Sequence, residues 1–436
     1  MAKKLFTISS LLIIASILLA ACGGSSAATP VPASEEPTGD KVLRVWIQWG
    51  DNPQQIQELF DQYTKISGYK VEVTAPIEDD KVLPGLTGTS APDVLVLSGG
   101  DLVKSYHKEG LVDELSQVIK DGNIDLNDFY SGPLNSCKQG DEIYCLPWGF
   151  DLYALYWNKD LFEASGLDPN KPPATMEELV EYADKLTKVN ADGNIEQIGF
   201  IPDMSWDHSD LYASMFGGFW YDKDGNLTVN SQPMIDAMTW QQQFYSKYGY
   251  DKVLKFAGGF GEYNSPDHPF FAGKVGMMVD GEWIAGPNYI PTFKPELNYG
   301  VVAFPPPASN PERAGTAVAQ GTVAVIPSGG KNKVEAAKLL AWMMSPDIVA
   351  SEFCRNANLP TSKKAAENPC FNINEGFNVF VDLAKSPNVV PLITTVHSLE
   401  VNDAFGTASE EILHTGADPK TTLDKLQAEL GKLFND

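Results

Sequence analysis

Positive charge is in short supply. Only 32 lysines and arginines offset 57 aspartates and glutamates in 436 residues, a formal charge of −25. A chain this acidic is repelled by phosphate backbones and anionic lipid headgroups, which excludes nucleic acid or a membrane surface as the main partner. Histidine is scarce as well: the five are scattered, with no HExxH and no Cys/His cluster, so no zinc site is expected. GxSxG and GxxxxGK[ST] are missing, which removes the common hydrolase elbow and the P-loop. Gly258-Gly-Phe-Gly261 lacks the third glycine of a dinucleotide loop. Asp222-Lys-Asp-Gly-Asn226 has the look of a calcium loop, but its glycine comes two places early and Pro233 stands where the bidentate Glu belongs. It reads as a turn. No cofactor, metal or catalytic residue is expected, and the chain does not read as an enzyme.

What is present is enough apolar material for a folded body: 43% hydrophobic and 11% aromatic residues, over a length that suits two or three domains. The longest apolar run, Leu5 to Ala21, follows Met1-Ala-Lys-Lys4 and precedes Cys22-Gly-Gly. That is the layout of a signal peptide, with a single-span anchor as the alternative. Leu19-Ala20-Ala21-Cys22 resembles the bacterial lipobox, which implies cleavage before Cys22 and lipid attachment to it. Several acyl chains would hold the protein durably on the membrane, outside the cytoplasm. Residues 1–21 are then the signal peptide. Residues 22–40, with no aromatic and little that is large and apolar, are a flexible tether.

The other four cysteines would face an oxidising compartment. Three pairings are open. The local pairs, Cys137 with Cys145 and Cys354 with Cys370, each close a short loop and are favoured; buried free thiols are the alternative.

From Lys41 the pattern is α/β. Strands are expected at Val42–Ile47, Lys70–Thr74 and Asp93–Leu97, with a helix opened by Asn52-Pro53 and closed by Gly68 between the first two. Thr175-Met-Glu-Glu178 reads as a capping box. Strands follow at Ile195–Ile201, Lys274–Val279 and Tyr299–Phe304, a helix starts at Ser345-Pro346, and Leu423, Leu426, Leu430 and Leu433 mark a terminal helix. Mainly parallel sheets follow from this order. About 395 residues are too many for one sheet, so two lobes are expected.

Several segments resemble the extracellular solute-binding proteins of bacterial ABC importers, in the sugar-binding family that includes the maltose-binding protein. They are Ala91-Pro-Asp-Val94 with Gly110-Leu-Val-Asp-Glu-Leu115; Leu146-Pro-Trp-Gly149 with Tyr156-Trp-Asn-Lys-Asp-Leu-Phe162; Phe270-Phe-Ala-Gly-Lys-Val-Gly-Met277 with Gly281-Glu-Trp283; and Asn358-Leu-Pro-Thr-Ser362. Each is weak alone, but the four occur in the family's order. Gly276 departs from the commoner Ala, and the cysteine pairs are not general to the family.

The resemblance implies a two-lobed periplasmic-binding-protein-like fold, each lobe a mainly parallel sheet flanked by helices, with the ligand cleft between. Lobe 1 would take 41–150 and 304–365, and lobe 2 would take 151–303 and 366–436. The chain would cross near 149–153, 301–304 and 360–375. It also implies acidic contacts at Asp101 and Asp151, a stacking aromatic at Trp283, and a cleft-lining segment at Gln320-Gly321. Loops after the strands add Trp49 and Asp51, and Trp206 lies in a stretch expected to face the cleft. Aromatic plates beside acidic oxygens suit a sugar, whose C–H face stacks while its hydroxyls donate. The reading is a lipid-anchored, monomeric protein that captures an oligosaccharide or glycoside and delivers it to an ABC permease. The alternatives are a binder of a cation such as a polyamine, and a surface glycoside hydrolase.

Overall fold

Leu43, Val45 and Ile47 alternate with outward-facing residues and are fully buried, so the stretch Val42–Ile47 forms a strand with one face on a core. In this computed structural model the described residues are 41–50 and 52–434. The expected signal peptide, lipobox Cys22, tether 22–40 and Asp51 lie outside them.

Asn52 starts the next helix as expected. Its side chain accepts from the Gln55 amide at 3.1 Å, Pro53 occupies the first turn, and the helix Pro53–Ser67 ends at Gly68 with φ +75°. Ile56, Leu59, Phe60 and Tyr63 are its buried face. The first sheet runs in the order Lys70–Thr74, Val42–Ile47, Val94–Leu97, Val323–Val325, Leu146–Pro147. Its first three strands are parallel. Val323–Val325 enters antiparallel to both its neighbours after an excursion of about 175 residues, and that return forces the chain to cross between bodies more than once.

A second apolar core covers one face of Tyr153–Asn158 through Leu155 and Trp157, while Ala154 and Tyr156 pack on the first; the strand pairs with Met277–Gly281 on one side and Tyr299–Val302 on the other. Both pairings are antiparallel, so the mainly parallel expectation holds for the first body and needs correcting for this sheet. Its three strands are separated by whole helical excursions and by connections that reverse direction. Two expected strand positions also shift: Lys274–Val279 is observed as Met277–Gly281, and Ile195–Ile201 shortens to Ile195–Gln197. Helices Met176–Leu186, Ser209–Phe216, Gln232–Tyr248, Ser398–Thr415 and Pro419–Leu430 contribute to this core. At Thr175 the capping hydroxyl accepts from Glu178 N at 3.1 Å, and the Glu178 carboxylate reaches back to Ala174 N at 2.8 Å. Leu423, Leu426 and Leu430 are buried as expected.

Both favoured disulfides form. Cys137–Cys145 closes a hairpin of Lys138–Gln139 and Glu142–Ile143, and Cys354–Cys370 joins a helix end to a short turn. Among the described residues no helix is long and apolar enough to cross a membrane.

One polar knot sits inside the first body. Asn356 accepts from Gln55 at 2.7 Å and from Asn288 at 3.0 Å, and donates to Glu352 at 2.7 Å. Glu352 is 1% exposed and burial pushes its pKa up to about 7. A folded-state pKa above the unfolded one stabilises the fold below the unfolded value of about 4.5, and that stabilisation is lost as pH rises through about 7. Buried His208 and His268, both pushed down to about 4, act with the opposite sign and favour the fold as pH rises from about 4 to 6.5. Glu352→Gln should therefore gain stability over the unmodified chain as pH rises from 4.5 to 8, by up to ~3 kcal/mol. Urea melts at several pH values test this; parallel curves for the two proteins would refute it.

Candidate functional site

The crossing segments meet in a stack of close backbones. Gly149–Phe150 pairs with Leu359–Pro360, and Asp151 bridges to Gln320, its amide donating to the Gln320 carbonyl at 3.2 Å. The Trp148 and Gly149 amides share the Thr322 carbonyl at 2.7 and 3.1 Å. Gly321 has no room for a side chain: a Cβ there would lie 2.2 Å from the Gly149 carbonyl oxygen. Glu282 ties the stack from behind. Fully buried, its carboxyl accepts from Leu152 N and from Leu359 N, both at 3.3 Å. Burial, and then the nearby Asp151, raise its pKa well above the ordinary carboxylate value.

In front of this stack, rings and carboxyls converge. Trp283, half-buried in the turn after Met277–Gly281, sets its ring edge-on to Tyr153, centroids 5.9 Å apart. Its indole N–H donates to the Tyr263 hydroxyl at 2.7 Å, and Tyr263 donates to Asp280 at 2.7 Å. Trp206, 42% exposed, lies 5.0 Å from the Tyr263 ring. Tyr153 also meets His208 at 4.5 Å. From the second body, Asp210 accepts from the Gln320 side chain. Burial pushes Asp210 up to about 7. Tyr153 is held far above its usual range by burial, then by Asp151, Asp210, Asp280 and Glu282. His208 is neutral near pH 7. None of the side chains in this cluster is a cation, so the wall offers aromatic faces and acceptors and repels an anion.

The bodies also touch along a rim. Asn402 Nδ2 donates to Asp101 at 2.6 Å, Lys104 Nζ to the Thr394 carbonyl at 3.0 Å, and Ser105 Oγ to the Val396 carbonyl at 3.2 Å.

Residues 48–350 match the family described as bacterial extracellular solute-binding protein. The chain belongs to that family. This solute-binding protein is similar to the maltotriose-binding protein of Pyrococcus abyssi, 21% identical over 321 residues, 72% of this chain and 65% of that one. It is also similar to the diacetylchitobiose binding protein DasA of Streptomyces coelicolor, 25% identical over 309 residues, 68% of each chain. Among solved structures, CpMnBP1 with mannotriose bound superposes with a TM-score of 0.82 at 28% identity, covering 89% of this chain and 99% of that one. The solute-binding protein therefore has the two-lobed α/β fold.

Of the residues expected to hold ligand, the fold gathers Asp151, Trp206, Trp283, Gln320 and Gly321 around the crossing stack. Asp101 stands apart at the rim, where Asn402 takes up its carboxylate, and burial raises its pKa. Trp49 stacks 6.0 Å from fully buried Trp148 and shares its wall with first-lobe core residues. Tyr153, Asp210 and Tyr263 join the cluster without having been singled out as site residues, and His208 comes from the same cleft-facing stretch as Trp206. Asp210 in the first turn of a helix reads as an ordinary dipole partner, and Tyr263 sits in a stretch with no periodicity. The aromatic-acid alternation of Trp206-Asp207-His208 through Asp210 was the available signal.

Proposed function

We propose that this solute-binding protein captures a short neutral oligosaccharide at the Trp283–Tyr153–Asp210 cluster. No chemistry is performed on the ligand, which is handed to an ABC permease. The observation that carries the reading is a cluster of aromatic faces and carboxyls without a cation, set on the crossing segments. Indole and phenol rings take the C–H faces of a pyranose, and acidic oxygens and Gln320 take its hydroxyls. The relatives support it, since the ones named bind maltotriose, diacetylchitobiose and mannotriose by their descriptions. Asp101 and Trp49 are assigned to the outer part of the same cleft. Lobe 1 takes 41–150 and 304–365 and lobe 2 takes 151–303 and 366–436, with Phe270, Ile284, Tyr289, Phe377 and Phe380 of the latter packed on the first core. Closure by hinge motion follows from a ligand that touches both lobes.

The protein works as a monomer outside the cytoplasm, held to the membrane through lipidated Cys22 and the tether. Cys22→Ser should move it from the membrane fraction to the soluble fraction; continued membrane attachment would refute the anchor.

Thermal shift against mannobiose, mannotriose, maltotriose, diacetylchitobiose and spermidine tests the ligand class, because a ligand that binds only the native state raises Tm. One oligosaccharide should raise it, with an effect unchanged between 50 and 500 mM salt (roughly a threefold change in screening length). A response to spermidine alone, lost in salt, would move the assignment to a cation binder. Cleavage of the oligosaccharide during incubation would move it to a hydrolase.

A further inference from the structure

A second cavity, of about 340 Å³, opens where the helix Ser209–Phe216 meets Arg313 and Val390. It lies at the opposite end of the helix Ser209–Phe216 from Asp210. That helix stops at Gly217 with φ +88°, and the cavity wall continues to the N-terminus of the 17-residue helix Gln232–Tyr248. The glycine pair keeps the space open. A Cβ on Gly217 would lie 2.9 Å from Arg313 Nη2, and one on Gly218 would lie 2.7 Å from Pro233 Cβ.

Donors with nothing to donate to collect here. Ser214 is 1% exposed, lines the cavity, and its hydroxyl has no hydrogen-bond partner. Ser231, at the N-cap of Gln232–Tyr248, has a buried hydroxyl without a partner and makes no side-chain cap, so the Gln232 and Met234 amides of the first turn lack one, Pro233 between them having no N–H. The Arg313 guanidinium makes no hydrogen bond or ion pair among the described residues. Lys223 adds an exposed ammonium at the mouth, paired with Asp224 at 2.7 Å. The one carboxylate on the wall, Asp222, is already occupied: it accepts from Asp224 N and Asn226 N at 2.9 Å and from Asn226 Nδ2 at 2.8 Å. Among the side chains of the wall unused donors thus outnumber unused acceptors, on a protein whose overall field repels anions. A guanidinium, two hydroxyls and a helix N-terminus are a complementary set for a tetrahedral oxyanion.

We propose that this cavity is a phosphate-binding site in which Arg313 carries the charge, with Ser214, Ser231 and the amides of the Gln232–Tyr248 helix completing the shell. The site is independent of the sugar cleft, and its occupant is either free phosphate or the phosphoryl group of a larger molecule.

Inorganic phosphate is titrated into the full chain and followed by ³¹P line broadening, with glucose 6-phosphate in a parallel arm. Saturable binding is expected in the unmodified protein, weakened about tenfold or more by R313Q, as for loss of a charge-assisted pair. K223Q and S214A should each weaken it about two- to fivefold, as for loss of one peripheral or neutral contact. Preference for phosphate assigns the free ion, and preference for the hexose phosphate assigns a larger ligand. Equal affinity in the unmodified protein and R313Q overturns the proposal. So does a lower Tm in R313Q without any phosphate response in either protein, which makes Arg313 a cation capping the Ser209–Phe216 helix. Should R313Q not fold, unchanged affinity in both K223Q and S214A overturns it as well, since Lys223 is an exposed side chain.

Discussion

Trp283→Ala lowers oligosaccharide affinity by ~1–3 kcal/mol, about five- to 150-fold, if its ring is the stacking plate of the cleft. The argument starts from geometry. The indole N–H is committed to Tyr263 and the ring edge is braced by Tyr153, so the plate has a fixed tilt and little side-chain entropy to lose on binding. A planar ring held this way offers its face to an apolar sugar surface at small reorganisation cost. Truncation also frees Tyr263 from its partner, so Trp283→Phe is the companion variant: it keeps a plate, loses the N–H donor, and should retain most of the affinity. Isothermal titration with the oligosaccharide found in the thermal screen reads both. Unchanged affinity in Trp283→Ala removes the residue from the site. Equal losses in both variants assign it to holding Tyr263 in place.

Glu282→Ala should cost the fold ~3–5 kcal/mol, the larger effect on stability. The carboxyl is the shared acceptor for Leu152 N and Leu359 N. Its removal leaves two buried amides unpaired, each worth ~1–3 kcal/mol, and opens a void where the side chain stood. Glu282→Gln retains the volume and one carbonyl acceptor, and should cost ~1–2 kcal/mol. Because both amides belong to crossing segments, the Ala variant should also bind ligand more weakly than Trp283 remains able to explain, with its lobes less firmly oriented. Denaturant melts and ligand titration of the two variants check this. Equal stability of Glu282→Ala and the unmodified chain would mean that other groups or water satisfy these amides.

Much of the fold was legible because its signals are local. Asn52-Pro53 with Gly68, and Thr175 with Glu178, mark helix ends by side-chain chemistry that acts within four residues. The apolar stretch at Val94–Leu97 announces a strand buried on both faces. Cys137–Cys145 and Cys354–Cys370 were readable from loop length alone. Strand direction in the second lobe was not, since Tyr153–Asn158 meets partners about 120 and 145 residues away, and nothing local sets that choice. The site divides the same way. Trp283, Asp151 and Gln320 stand in segments whose order resembles a family. Asp210 and Tyr263 carry no such mark: their place depends on a long-range hydrogen bond to Gln320 and on a loop folded over the Asp280 turn.

The contacts from Asp101, Lys104 and Ser105 to the far lobe bear on kinetics. Each is a modest polar exchange with water, so breaking the three together costs only a few kcal/mol, about 1 each. If these contacts latch a closed state, the fraction of time they are open sets how fast a solute can enter. Loosening the latch, for instance through Asn402→Ala, quickens both entry and escape, trading residence for throughput.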